Sequence, residues 1–356
     1  MKILHSADWH LDAPMSGHSE EETLRLRKEL RKIPEKIAKL CKAEGCELML
    51  LAGDLFDGPY TRESLTAVRT ALESVQIPVI ITPGNHDFCG EDSPYLKEEW
   101  PGNVHIFTKP EMERYDLPEL DCTVYGAGYS SMECPGLMKR FHADSTARWK
   151  IGVLHGEAGV IHSTYCPVTK PQIQDSGLNY LAMGHIHKGG SLTAGDTLCA
   201  WPGCPMGRGF DELGAKGVLM VYLGDEVKAH FMPLDTPRFY DEEVEAGDDP
   251  AAAVASLLPG IDSSDFYRIT LTGYSAGVNL SEIAARFPHI PNLTLRDNTR
   301  PEMDLWSELG ADTLEGVFFG LLHEKAQSES PTLSKRATLA ARIARQILDG
   351  EEVKLP

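Results

Sequence analysis

Asp8-Trp9-His10 opens the sequence with a carboxylate and an imidazole two residues apart, directly behind an apolar run. Four more short motifs of the same kind follow in order: Gly53-Asp54-Leu55-Phe56-Asp57, Gly84-Asn85-His86-Asp87, His155-Gly156 and Gly184-His185-Ile186-His187. Each comes immediately after a run with strand character, and strand ends in an α/β sheet are where loops converge on a site. The donors are carboxylates, imidazoles and one amide, with no thiolate. That set suits Mn²⁺, Fe²⁺ or Zn²⁺ better than a soft-metal centre, and six-coordinate Mn²⁺ is at home in it. Singly, each motif is weak: D-x-H arises by chance, and Gly-Asn-His-Asp also reads as a turn capped by its asparagine. Five in order, at five strand ends, point to a metal site.

The elements that must carry these motifs show in the alternation of periods along the chain. Apolar runs at 2–6, 47–52 and 78–82 read as buried parallel strands, with helical patterns at 20–43 and 62–75 between them. Pro34 is expected to kink or divide the first helix. Short strands are expected at 104–107, 122–125, 150–154 and 180–183. A pair at 217–223 and 227–232 follows, joined by a turn at Gly224-Asp225. A boundary near Thr236-Pro237 would divide the chain into a catalytic domain, 1–236, and a smaller α/β unit, 237–356. The second should hold helices at 250–258 and 280–287 and strands at 266–272 and 293–296. A last helix should start at Ser330 as cap with Pro331 behind it, and close at Gly350. Leu333, Ala337, Ala340, Ile343 and Ile347 share one of its faces.

A chain of 356 residues holds one large domain or two of ordinary size, and 42% hydrophobic with 24% charged residues is ordinary for a globular protein. No apolar run is long enough to span a membrane. Met1 leads almost directly into a strand rather than a signal peptide, so a cytoplasmic protein with no membrane partner is expected. The eight cysteines form no C-x-x-C pair and read as free buried thiols. A net charge of −19 repels a polyanion and argues against strong unaided DNA binding, although two bound cations would offset it locally. Basic residues do gather on the first helix, at Arg25, Arg27, Lys28, Arg31, Lys32, Lys36, Lys39 and Lys42. Glu29 and Glu35 among them make a solvated helix face the plainer reading.

The five motifs resemble the calcineurin-like metallophosphoesterase superfamily over roughly the first two thirds of the chain. That resemblance implies an α/β fold: a β-sandwich flanked by helices in four α/β/β/α layers, with a smaller C-terminal α/β capping domain. It also implies two divalent metal ions, Mn²⁺ first, with Fe²⁺ or Zn²⁺ open. Asp8, His10 and His187 would hold one, Asn85, His155 and His185 the other, and Asp54 would bridge them. His86 would stabilise the transition state or protonate the leaving oxygen, with Asp57 orienting it. Asp87 reads as structural and His5 as packed or supporting. His162 stays open between the site rim and loop structure.

Two further stretches narrow the substrate class. Residues 4–14, LHSADWHLDAP, resemble the opening of bacterial SbcD/YhaO-type DNA repair exonucleases, nearer the YhaO branch. Trp201-Pro202-Gly203-Cys204-Pro205-Met206-Gly207-Arg208, then Glu212 and Lys216-Gly217, are similar to the signature those nucleases carry after Gly-His-Ile-His. Arg208 is thereby a candidate substrate-binding residue, although the stretch also reads as a Gly/Pro-rich loop leading into a strand. Tyr267-Arg268-Ile269, the strand ending Asp297-Asn298-Thr299, and Thr313-Leu314-Glu315-Gly316 resemble the same branch's capping domain. The resemblance implies a metal-dependent phosphodiesterase that acts on DNA as an exonuclease, with single-strand endonuclease activity open. Its partners would be DNA and an SbcC-like coiled-coil ATPase, and a homodimer stays open. Two alternatives remain. One is a phosphodiesterase or phosphatase for small phosphate esters, which the charge favours. The other is a scaffold subunit of the ATPase complex, against which the complete ligand set argues.

Overall fold

The computed structural model describes residues 1–260, 263–275, 277–301, 303–350 and 353. The chain folds as two compact units, Met1–Tyr240 and Asp241–Pro356. The first unit runs β1 (Lys2–Ser6), α1 (Glu20–Leu30), α2 (Ile33–Ala43), β2 (Leu48–Leu51), α3 (Arg62–Val75), β3 (Val79–Ile81), α4 (Pro94–Lys97), β4 (Val104–Ile106), β5 (Glu113–Leu117), β6 (Cys122–Gly126), β7 (Trp149–His155), α5 (Lys170–Gln174), β8 (Tyr180–Gly184), β9 (Lys188–Ala194), β10 (Thr197–Gly203), β11 (Gly217–Leu223) and β12 (Val227–Pro233). Pro34 sits in the first turn of α2, where its missing N–H costs nothing, so the long helical pattern is divided there.

Two six-stranded sheets result, ordered β12-β11-β1-β2-β3-β4 and β5-β6-β7-β8-β10-β9. Strands β1 to β4 are mutually parallel, as are β6, β7 and β8. Parallel strands inside a sandwich have both faces covered and so read as continuous apolar runs. Ile3, Leu48, Leu50 and Ile80 from the first sheet meet Val124, Ile151, Val153 and Tyr180 from the second in one buried cluster. The alternate residues Leu4, Met49, Leu51, Val79 and Ile81 are 0% exposed on the other face. The buried stripes of α2 (Ile37, Ala38, Cys41) and α3 (Leu65, Val68, Leu72) supply the apolar cover such a face needs. Outside the second sheet, Leu154, Leu181 and Met183 cluster with Ile173 of α5. All eight cysteines are free, and seven are buried.

The basic side chains of α1 and α2 are largely engaged nearby. Lys32 pairs with Glu29 and Lys39 with Glu35, Arg31 faces Asp12, and Arg27 donates to the Ala13 carbonyl.

The second unit takes in the rest of β13 (Phe239–Glu245), then α6 (Pro250–Ala255), β14 (Phe266–Thr272), β15 (Tyr274–Ser275), α7 (Leu280–Ala284), β16 (Leu293–Asp297), β17 (Arg300–Pro301), α8 (Leu314–Ala326) and α9 (Pro331–Leu348). A three-stranded sheet, β13-β14-β16, carries a small core around Val254, Ile269, Leu271 and Ile283. Ser330 takes the cap position of α9 without a side-chain hydrogen bond, and Gly350 follows the helix at φ 73°. The buried stripe of α9 is rotated from the expected one. Ala337 and Ala341 are buried, whereas Leu333 and Ile347 are 44% and 61% exposed. The small alanines let α9 approach α8 closely, and Ala341 packs with Phe319. Among the described residues no helix is long and apolar enough to cross a membrane.

Candidate metal centre

All five motifs leave the C-terminal ends of parallel strands. Asp8 and His10 follow β1, Asp54 follows β2, Asn85 and His86 follow β3, His155 ends β7, and His185 and His187 follow β8. The loops after β1 and β2 are zipped by backbone bonds: Asp8 N to Gly53 O at 3.0 Å, His10 N to Asp54 O at 3.0 Å, and Asp57 N to Leu11 O at 2.9 Å. Asp8, His10, Asp54 and His185 take φ of 56°, 47°, 54° and 92°. Such left-handed backbone is rare for non-glycine residues and clusters at functional sites. Glycine makes room beside them: a Cβ on Gly53 would stand 2.4 Å from His155 Nδ1, and one on Gly84 2.2 Å from Asp54 Oδ1.

The donor atoms gather in overlapping groups. Asp8, His10 and His187 offer atoms within 4.8 Å of one another, as do Asp54, His155 and His185. Asn85 joins the second group, its Oδ1 standing 2.9 Å from His155 Nε2 and 3.1 Å from His185 Nδ1. Asp54 lies between the groups, with Oδ2 3.2 Å from His155 Nε2 and 3.7 Å from His10 Nε2. His86, with Asp54 and His10, makes a third such triad.

Three imidazoles have their inner nitrogen committed. His10 Nδ1 donates to Asp57 Oδ1 at 2.8 Å, His155 Nδ1 to the Ala52 carbonyl at 2.9 Å, and His187 Nδ1 to Glu212 Oε1 at 2.6 Å. These bonds assign the tautomers and turn each Nε2 lone pair into the site, as supporting partners do for metal-ligating histidines. His10 Nε2 and His187 Nε2 then face each other at 3.0 Å. Two lone pairs so placed repel unless a cation lies against both. His155 shows the same demand for positive charge. Burial would lower its pKa, but Asp54 and Asp8 overrule burial and hold it up, at about 9. The residues present therefore fit a pair of divalent cations.

Asp57 carries more than its place in the motif suggested. Its Oδ1 accepts from His86 Nδ1 at 2.8 Å as well as from His10. Burial pushes its carboxyl up, yet the bonds from His10 and His86 outweigh burial and hold it below the usual carboxylate range. Asp57 in turn raises the His86 imidazole above its ordinary value against partial burial. The His86 side chain is 41% exposed, open to a substrate.

Asp87 belongs to none of the donor groups. It accepts from the amides of Gly84 and Leu55, both at 2.7 Å, and from the Tyr95 hydroxyl at 2.6 Å, tying two donor loops together. His5 is packed inside, with Nδ1 2.8 Å from the Tyr180 hydroxyl. His162 is exposed and belongs to none of the donor groups; from its segment it is Tyr165 that packs on His185, with ring centroids 4.6 Å apart. Arg208 is held by Glu212, with Nη2 2.8 Å from Oε1, and stands 3.1 Å from His187 Nδ1. Glu212 had no role of its own in the sequence motif. No sequence signal pairs it with His187, because residues 204–216 form no helix or strand and only the fold brings the two together.

The calcineurin-like phosphoesterase profile matches residues 1–189. The chain belongs to that family. Membership places this phosphoesterase among hydrolases that act on phosphoesters through a dinuclear divalent metal centre. It is 32% identical over 241 residues to the Bacillus subtilis metallophosphoesterase YhaO, a match covering 63% of this chain and 57% of that one. It is 28% identical over 123 residues to a subunit of the SbcCD nuclease of Staphylococcus epidermidis, covering 33% of this chain and 31% of that one. The matches thus span little more than half the length of the first relative and under a third of the second. A dimetal phosphatase from Danio rerio aligns over 64% of this chain and 95% of its own, at 12% identity and a TM-score of 0.45, too loosely to carry an argument.

Proposed function

We propose that this phosphoesterase is a metal-dependent phosphodiesterase that cleaves DNA as an exonuclease of the SbcD/YhaO type. The observation that carries it is the meeting of two donor groups at Asp54, with the Asp57-buttressed His86 at their open edge. Asp8, His10 and His187 would hold one cation, Asn85, His155 and His185 the other, and Asp54 both. Bound there, the cations would polarise the phosphoryl oxygens and acidify a water for attack near neutral pH. His86, its imidazole raised above its ordinary value by the bond to Asp57, donates to the leaving oxygen. Asp57 also fixes His10, and Glu212 fixes His187, so both outer carboxylates position ligands. Arg208, clamped by Glu212 beside His187, meets a phosphate oxygen of the substrate.

The donors are carboxylates, imidazoles and one amide with no thiolate, a set that would suit Mn²⁺, Fe²⁺ or Zn²⁺. DNA as substrate and an SbcC-like ATPase as partner come from the likeness to the SbcCD nuclease. The partner also suits α8, which exposes Leu314, Val317, Phe318 and Leu321. A net charge of −19 favours the second reading, a phosphodiesterase for small esters, because an acidic protein must bind DNA through few local contacts.

With Mn²⁺, linear DNA should be degraded from its ends and bis-p-nitrophenyl phosphate hydrolysed, while closed circular duplex survives. Efficient turnover of the small ester with no attack on linear DNA, even at low salt, would replace the first reading with the second.

A further inference from the structure

A cavity of about 460 Å³ begins at His187 and is walled by Trp201, Leu213, Lys216 and Phe231. Sites for small ligands run from about 300 to 1,000 Å³. Apart from His187, none of these residues takes part in the metal centre. Phe231 arrives there by register. Val227, Ala229 and Phe231 share one face of β12, opposite Leu223, Val221 and Leu219 of β11. Val227 and Ala229 pack on the sandwich core. Phe231 continues the same face but is 45% exposed.

Glycine keeps the space open. Gly189 and Gly190 of β9 line the cavity and bring no side chain to fill it. Trp201 is paired with Gly190 across the strands, and a Cβ there would come within 2.7 Å of the indole ring. The indole is fixed by its Nε1, which donates to the Lys188 carbonyl at 3.0 Å. Lys216 supplies the charge. It is 9% exposed, and among the described residues nothing pairs with its ammonium. Glu212 nearby is committed to His187 and Arg208. With its stem buried and its ammonium accessible at the cavity, Lys216 can present its charge to an anion beside two aromatic faces.

Building on the nuclease reading, we infer that this cavity holds the nucleotide next to the scissile phosphate. Its base lies against Phe231 and Trp201, and its other phosphate meets Lys216. Every base has a flat π-face, so such stacking accepts any sequence. A lysine meets phosphate as a point charge, without the fixed fork of an arginine.

Three esters with the same leaving group test this in the Mn²⁺-loaded protein: methyl p-nitrophenyl phosphate, thymidine 5′-(p-nitrophenyl phosphate), and the latter with a 3′-phosphate. Wild-type kcat/KM should rise along that series. Phe231→Ala should lower the thymidine-to-methyl ratio about tenfold, through KM, the size of one base stack. Lys216→Met should remove the gain from the 3′-phosphate, and Lys216→Arg should restore most of it. Phe231→Leu keeps apolar volume without a ring and gives the same reading should the alanine variant misfold. Equal rates for the methyl and thymidine esters in wild type, or variants that change all three alike, overturn the subsite and leave the phosphodiesterase intact. Hydrolysis of none of the three removes the phosphodiesterase reading, and the subsite with it.

Discussion

The two units of this phosphoesterase use their apolar residues in opposite ways. In the first, whole strands are 0% exposed on both faces, and the sheets close over a shared core. In the second, the cores are small, and α8 and α9 leave Leu314, Val317, Phe318, Leu321, Leu333 and Ile347 at the surface. Every candidate metal donor belongs to the first unit, and four of the seven sit at positive φ. Such conformations cost about 1–3 kcal/mol each and persist only where the surroundings over-determine them. Dense packing therefore lies where atoms must be held against strain. The thin unit has no such duty and leaves apolar side chains of α8 and α9 uncovered.

The sharpest way to break this comparison is to remove the residue both donor groups share. Asp54→Ala should empty both metal positions, measured as metal per protein after gel filtration, and bring phosphodiester hydrolysis to background. Retention of two metals with full activity would mean that Asp54 bridges nothing. His86→Gln should keep both metals and lose about 10²–10⁴-fold in turnover, the usual contribution of general acid catalysis. Loss of metal instead would make His86 a ligand, as its triad with His10 and Asp54 permits. Asp57→Asn and Glu212→Gln come next. Each loosens a ligand through its inner nitrogen, so metal affinity should fall about 10–100-fold. Asp57→Asn should also slow turnover, because it frees His86; Glu212→Gln should not act through His86. Identical profiles for the two variants would undo that separation of roles.

The donor motifs were legible because each sits behind a continuous apolar run, a pattern that parallel burial imposes. Three edge strands escaped for the converse reason, although β4, β12 and β16, also at edges, did not. In β5 (Glu113–Leu117) and β13 (Phe239–Glu245) charge breaks up the apolar pattern, and β9 begins Lys188-Gly189-Gly190-Ser191, which reads as loop. The stretch at Trp201 likewise looked like a Gly/Pro loop, yet it ends strand β10, which stays paired with β9 as far as Gly203 opposite Lys188. The second hydrogen bond of Asp57 was hidden too. The resemblance gave it His86 alone, and only the zipped loops bring His10 to the same oxygen.

His5 probes the packed unit by titration. It is 0% exposed, and burial takes its pKa from 6.5 down to about 3. The unfolded chain therefore takes up a proton near pH 6.5 that the folded protein refuses until about pH 3. The resulting stability is complete above pH 6.5 and is lost as pH falls toward 3, at up to about 1.36 kcal/mol per pH unit. His5→Gln should be less stable at pH 7 but should lose less on acidification. Urea unfolding at pH 7, 5.5 and 4.5 reads the difference. Parallel pH curves for the two proteins would mean that His5 is protonated inside the fold.

The smallest effect, that of Phe318→Ser, comes from the thin unit, where the adjacent Phe319 of α8 serves as its control. Phe319 is 0% exposed and packs with Leu305 and Ala341, whereas Phe318 is 43% exposed. Removing a buried phenyl ring costs about 3–5 kcal/mol, through lost burial and the cavity left behind. A substitution at an uncovered surface position stays within about 0.5 kcal/mol. Phe319→Ala should therefore destabilise the protein strongly and Phe318→Ser hardly at all, measured by thermal unfolding at one protein concentration. Repeating the melts across a hundredfold range of concentration tests whether the face is free. A face exposed in solution gives a melting temperature independent of concentration for wild type and Phe318→Ser alike. A face buried between two copies makes the wild-type value climb with concentration, since association stabilises the folded state by mass action. Phe318→Ser would then lose both that climb and several degrees of stability. That outcome would show that the second unit completes its core with a second chain, and the contrast between the units would become one between a core closed within the chain and one closed by assembly.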